Sequence, residues 1–291
     1  MENIIKNFLS ILLRTLALFS PKLCASFSWS FFCKPRIRKK PVSKTEQALL
    51  QQANHLFVTS GDYEVAIYQW KNATGNGKTV LLTHGWGGHA LNFSLIIKSL
   101  LANGFNVLAF DGPAHGNSSG KTTTLIHNAN AVLAVAKQAQ PIHALIGHSF
   151  GTISNAYAYD LASNSELFSQ LEHMIIIAGP NKLKNIFASF TGSMCLPPKI
   201  LSIFIDRVEK LTGRNMSQMT TVDFLQTYCR NILVLHDKQD PVVPHSEAHD
   251  VSKGTGARLF TTTGCGHGRI LITQSIVDEI ENTLTHSTPA T

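Results

Sequence analysis

A short apolar run, Ala144-Leu145-Ile146, leads straight into Gly147-His148-Ser149-Phe150-Gly151, and a stretch of helical character follows from Ile153 to Ala162. A turn that passes from strand to helix in so few residues brings two backbones together. Glycine on either flank removes the Cβ atoms that would collide. Such a turn lifts its central side chain clear of the sheet and sets it beside the free N–H groups that open the helix. The pattern predicts a strand–turn–helix unit with Ser149 at its apex, where an exposed Oγ can attack an acyl carbonyl.

The same alternation runs through the chain from about residue 55. Residues 55–59 and 63–70 read as two strands joined by a short turn, and residues 79–83, 106–110, 144–146, 174–177, 232–235 and 257–260 as further strands. These runs are too short for helices. The later ones are apolar throughout rather than alternating, as expected of strands covered on both faces. Helical stretches at 90–101, about 123–138 and 149–163 fall between them. The expectation is an α/β architecture: a mostly parallel central sheet with right-handed crossovers, helices on both faces, and the first two strands as an antiparallel edge. Residues 181–230 break the rhythm. They are rich in Phe, Leu, Ile and Met, contain Pro197-Pro198, and read as a small helical insertion, either a lid over a site or a plain packing element.

Three further segments carry chemistry. His84-Gly85-Trp86-Gly87-Gly88 follows the strand ending at Thr83. A glycine-rich loop at that point can turn a backbone N–H toward a reacting carbonyl, so the N–H groups of Trp86 and Phe150 are the expected oxyanion donors. Neither of the glycine signatures of phosphate-binding loops is present. Leu235 to Pro244 offers a carboxylate that can hold an imidazole in one tautomer, with both Asp237 and Asp240 eligible. Gly264-Cys265-Gly266-His267-Gly268 sets a histidine between glycines on a loop. With 13 histidines in the chain no single one is telling, but His267 completes the chain order Ser, Asp, His. His84, His89, His115, His148 and His236 are expected to support loops through hydrogen bonds, and Cys265 to be a small loop residue.

Charge and cysteine usage narrow the rest. The net charge of +7 is local: residues 34–44 hold six basic residues and no acid, and residues 45–291 sum to −1. That argues against a diffuse nucleic-acid surface. Five cysteines without a CxxC pair suggest neither a zinc site nor a disulfide framework, and reduced thiols of a cytoplasmic protein are expected. Residues 1–44 read as an arm preceding a main domain at 45–291. The arm is apolar, but Arg14, Lys22 and Pro21 interrupt it, and its longest uncharged run (23–33) is short of the ~18–20 residues that span a bilayer. No apolar block leads into a small-residue cleavage site. As a helix, Ile5, Phe8, Leu9, Leu12, Leu16 and Phe19 share one face, opposite Asn3, Asn7, Ser10 and Arg14. That face can pack on the main domain or, with the basic run behind it, make peripheral contact with the cytoplasmic face of an anionic membrane.

With these motifs in place, the chain resembles the α/β-hydrolase superfamily, in its bacterial esterase/lipase-like and serine-aminopeptidase-like branches, over roughly residues 55–285. The residues that carry the resemblance are His84 to Gly88 as oxyanion loop, Asp111-Gly112-Pro113-Ala114-His115-Gly116-Asn117-Ser118 as the loop after the fourth strand, and Gly147 to Gly151 as nucleophile elbow. It implies that Asp240, three residues after the usual His-Gly pair and just before a Val-Pro, is the acid, and that His267 is the base. It also implies a small-molecule acyl ester as substrate and no cofactor or metal. Two positions depart from the family pattern: Ala114 stands where glycine is common, and Asp237 where glycine follows the histidine. The triad by itself leaves ester and amide open, as it leaves open a silent binder of an apolar ligand.

Overall fold

Strands β1 (Asn54–Ser60), β2 (Tyr63–Trp70), β3 (Thr79–Thr83), β4 (Asn106–Phe110), β5 (Ile142–His148), β6 (His173–Ile177), β7 (Asn231–Asp237) and β8 (Arg258–Thr262) form one sheet in the computed structural model, in the order β1-β2-β4-β3-β5-β6-β7-β8. The structure describes residues 2–35, 43–139, 141–228 and 230–286; Arg36 to Lys40 of the basic run and Cys229 lie outside them. β1 and β2 pair antiparallel, β2 pairs antiparallel with β4, and every pairing from β4 to β8 is parallel. The α/β fold and its antiparallel edge are as expected.

Side chains of the central strands alternate between two separate cores, which is why these strands read as unbroken apolar runs. Leu81, Leu108, Leu145, Ile176 and Val234 point to one face. There they meet α5 (Leu125–Ala136), α6 (Phe150–Leu161) and α10 (His245–Thr255). Val80, Val107, Ile146, Ile175 and Leu233 point to the other, where α3 (Lys44–Gln51), α4 (Ser94–Ala102) and α12 (Gln274–Thr285) pack. The single helix expected at 90–101 is a 3-10 turn, Ala90–Phe93, followed by α4.

Strand order fixes where a site can form. β3 lies between β4 and β5, so the chain winds outward on one side of β3 and then returns to wind outward on the other. At such a reversal the loops leaving the carboxyl ends of the two strands diverge and leave a crevice. Thr83, the last residue of β3, is in register with Gly147 near the end of β5, so the His84 loop and the Ser149 turn lie side by side.

Between β6 and β7 the chain forms a cap of α7 (Leu183–Ser193), α8 (Pro198–Thr212), a 3-10 turn at Met216–Gln218 and α9 (Thr221–Phe224). The N-terminal helices α1 (Glu2–Phe19) and α2 (Pro21–Phe32) rest against it. Pro21 does break the helix, but it does so as the first residue of α2, with the Ser20 hydroxyl accepting the Leu23 N–H. α1 is not seated by the single face drawn from its sequence. Leu9, Leu13, Leu16 and Ala17 pack inward, and the Ser10 hydroxyl donates to the Met194 carbonyl at 2.6 Å. Phe8, Ile11, Leu12, Leu18 and Phe19 are exposed. The helix carries two apolar stripes, and hydrophobic periodicity cannot say which of two stripes is covered. Among the described residues no helix is long and apolar enough to cross a membrane.

Candidate active site

Ser149 occupies the turn between β5 and α6 with φ 51° and ψ −121°, a conformation that side-chain-bearing residues rarely adopt. The flanking glycines are what permit it. A Cβ on Gly147 would come within 2.6 Å of the Thr152 Cα, and one on Gly151 would run into the carbonyl oxygen of Thr83. The turn therefore presses against the end of β3, and the strain is concentrated at the serine.

The expected acid and base, Asp240 and His267, arrive from separate loops. Asp240 follows β7, and His267 lies in the short helix α11 (Gly266–Arg269) after β8. Ser149 Oγ donates to His267 Nε2 at 2.9 Å, and His267 Nδ1–H donates to Asp240 Oδ2 at 2.7 Å. The Asp240 side chain is fully buried. Burial on its own would raise the Asp240 carboxyl. The His267 hydrogen bond and the N–H groups of Val243 and Val242 on Oδ1 outweigh it and hold the group below the ordinary carboxylate value. His236 Nε2–H donates to the Val243 carbonyl at 3.0 Å and pins the same turn.

The structure separates the two competing aspartates. Asp237 faces away from the imidazole: Oδ1 accepts the Gln239 N–H at 2.9 Å, while Oδ2 accepts the Thr262 hydroxyl at 2.8 Å and the Cys265 N–H at 2.9 Å. Burial would raise its carboxyl, but these donors and the Gly266 N–H hold it well below the usual range. Asp237 is a clamp on the loop that delivers His267, a role that the motif spacing did not reveal.

The loop of His84 to Gly88 is also held by side chains. His115 Nε2 accepts the Gly87 N–H at 3.0 Å, with its Nδ1–H on the Pro113 carbonyl. His84 Nε2 accepts the Gly112 N–H at 2.8 Å, with its Nδ1–H on the Gly85 carbonyl. Gly88 N–H closes a turn on the Gly85 carbonyl, which leaves Trp86 at the tip. Among the described residues, none accepts from the N–H of Trp86 or of Phe150. Trp86 sits edge-on to Phe150, with ring centroids 5.1 Å apart. His148 Nε2–H donates to the His267 carbonyl at 2.9 Å, so the residue beside Ser149 also holds the loop of His267. Asp111 ties down the neighbouring loop, accepting the Ala90 N–H, the Tyr68 hydroxyl and the Asn117 N–H. Ala114, where the resemblance expects glycine, takes φ 63° in that loop.

Burial, above all, holds His84 and His148 near a pKa of about 4 and His115 near about 3, so all three are neutral hydrogen-bonding groups at pH 7. In the unfolded chain each titrates near 6.5. Between there and the folded-state values, the unfolded chain binds protons that the folded one refuses. Acidification from pH 6.5 to about 4 is therefore expected to lower the melting temperature continuously. Each histidine contributes up to about 1.4 kcal/mol per pH unit. A melting temperature that stays flat across that interval in calorimetry contradicts this account.

A cavity of about 810 Å³ opens over Ser149. Its wall includes Trp86, Phe150, Ile186, Phe190, Met194 and Val242. Phe31, Phe32 and Lys34 also line it, a contribution from the N-terminal segment that sequence reading missed. Phe32 stacks on Trp86 with centroids 5.6 Å apart, so α2 braces the tip of the glycine-rich loop. Glu247 closes the far wall, where it accepts the N–H groups of Asn181 and Lys182 at the start of the cap.

A sequence profile described as the Alpha/beta hydrolase family matches residues 80–275. The chain belongs to this family. No curated protein sequence matches it significantly. Among solved structures, an esterase of Pyrococcus furiosus superposes with a TM-score of 0.65 at 18% identity, covering 87% of this chain and 97% of its own. Est1E of Butyrivibrio proteoclasticus, solved with ferulic acid bound, gives 0.58 at 17% identity over 77% of this chain and 97% of its own. The 2-hydroxy-6-oxo-6-phenylhexa-2,4-dienoate hydrolase of a Rhodococcus species also gives 0.58, at 16% identity over 81% and 99%. These likenesses share the fold. The alpha/beta hydrolase assignment covers the strands that deliver Ser149, Asp240 and His267, while α1, α2 and Phe32 lie before the matched segment.

As for metal ligands, His143, Glu172 and His173 are the group of three among the described residues whose ligand atoms lie within 4.8 Å of one another. They sit at the opposite end of β5 and β6 from Ser149.

Proposed function

We propose that the protein is a serine hydrolase that cleaves a carboxylic ester of small or medium acyl chain through an acyl-enzyme on Ser149. The observation that carries the reading is the unbroken chain from Ser149 Oγ through the His267 imidazole to the buried Asp240 carboxylate, at 2.9 and 2.7 Å. His267 Nε2 takes the hydroxyl proton as Oγ adds to the carbonyl. Asp240 stabilises the imidazolium that results, and the proton passes to the leaving alkoxide. The N–H groups of Trp86 and Phe150 receive the oxyanion, and each such donor is worth about 10²–10³ in turnover. Water, deprotonated by the same imidazole, then releases the acid. The aromatic and aliphatic wall of the cavity favours an acyl chain over a charged or peptide group.

A fluorophosphonate probe is expected to label the native protein and to leave Ser149→Ala unlabelled. In a series of p-nitrophenyl esters, kcat/KM should rise from acetate to a medium chain and exceed that for aminoacyl anilides. Absence of labelling in native protein ends the hydrolase reading. A preference for the anilides would move the substrate from ester to amide while keeping the triad.

A further inference from the structure

The helix pair α1–α2 carries more apolar surface than the fold covers. While one stripe of α1 docks on the cap, the stripe that includes Phe8, Ile11 and Leu12 faces outward and ends in Leu18 and Phe19, each 83% exposed. These positions recur at three- and four-residue spacing, so they lie on one side of the helix. On α2, Leu23 and Phe27 are also exposed. A run of large apolar side chains on one surface of a folded protein marks a contact with a partner or a membrane.

Two observations say what covers this stripe. The first is charge. Residues 3–45 contain nine basic residues and no acidic one, and Arg14, Lys22 and Lys34 are exposed. An apolar stripe on helices whose exposed charged residues, among the described ones, are the cations Arg14 and Lys22 matches an anionic bilayer, where aromatic and leucine side chains sink to the acyl boundary and Lys and Arg stay among the phosphates. A second copy of the chain would set these cations against each other. The second is continuity with the cavity. Leu23, Phe27 and Phe31 succeed one another at four-residue intervals along α2, so the exposed stripe leads into the wall formed by Phe31 and Phe32.

We infer that the α1–α2 pair docks the protein on an anionic membrane surface through its outward stripe, beside the wall of the cavity over Ser149. This docking is independent of the chemistry proposed for Ser149, so Ser149→Ala protein binds membranes as the native protein does.

Co-sedimentation of full-length protein with vesicles tests it. The protein is expected to pellet with phosphatidylcholine vesicles containing about a third phosphatidylserine, to pellet weakly with phosphatidylcholine alone, and to be released by salt. The variant Leu18→Glu/Phe19→Glu/Phe27→Glu should lose at least about tenfold in partitioning. It should keep native circular dichroism and native rates on a short soluble ester, because none of the three residues lines the cavity. If that variant folds poorly, Leu18→Ser/Phe19→Ser gives the same readout. Native protein that ignores the anionic vesicles, or variants that bind as well as native, overturn the inference. So does light scattering that finds a native dimer, dissolved by these substitutions, with no vesicle binding: the stripe then belongs to a second copy.

Discussion

Replacing Ser149 by alanine is expected to lower turnover of the best ester by about 10⁴- to 10⁶-fold while leaving the fold intact. Among the described residues the hydroxyl's hydrogen-bond partner is His267, which leaves it no structural task there. What makes the site informative is its backbone. At φ 51° and ψ −121° any Cβ is strained, and positions of this kind cost of order 1–3 kcal/mol. Ser149→Gly should therefore be as inactive as Ser149→Ala but more stable than it, by about 1 kcal/mol after the larger unfolded-state entropy of glycine is counted. Urea unfolding of the pair isolates that difference, because both lack the hydroxyl. An alanine variant that keeps activity within about tenfold of native removes Ser149 as nucleophile. A glycine variant less stable than the alanine one removes the strain argument.

How far the chain could be read before folding depended on whether a residue's role is encoded locally. Ser149 was legible because strand, glycine pair and helix are contiguous, although the elbow they form is also held from β6, where the Ile177 carbonyl accepts the Ser149 N–H. The sheet was legible for a related reason: strands buried on both faces, such as β3 and β6, are unbroken apolar runs through their centres (Val80 to Leu82, Met174 to Ile177) and so announce themselves. The residues alone left Asp237 and Asp240 both eligible, and only the family resemblance pointed to Asp240. The two lie three residues apart on one turn, and what distinguishes them is which group of the same distant segment each faces, the imidazole of His267 or the N–H of Cys265. The N-terminal segment was the least legible. Its sequence specifies an apolar helix, but only the cap, more than a hundred residues later, decides that Leu13 is covered and Leu12 is not. The stacking of Phe32 on Trp86 is likewise a long-range contact that no periodicity encodes.

The two aspartates should dissociate experimentally. In Asp240→Asn the remaining amide oxygen can still accept the Val242 and Val243 N–H groups, so the turn survives and the melting temperature changes little. The amide NH₂ then faces His267 Nδ1, which must become an acceptor. The ring proton moves to Nε2, the nitrogen that in the proposed mechanism takes the proton of Ser149, and turnover is expected to fall about 10⁴-fold. Asp237→Ala acts in the opposite way. It leaves the Gln239 and Cys265 N–H groups and the Thr262 hydroxyl without their buried acceptor, so stability should drop by about 3 kcal/mol or more. Amide exchange at Cys265 should accelerate, since the carboxylate is what holds that N–H. Activity in Asp237→Ala would decline only as far as His267 loses its position, and lowering the temperature or adding a stabilising osmolyte should recover part of it, whereas neither should rescue Asp240→Asn. If Asp237→Asn is stable and inactive while Asp240→Asn is active, the acid has been assigned to the wrong aspartate. The His236 turn would then have to rearrange during turnover to bring Asp237 onto the imidazole.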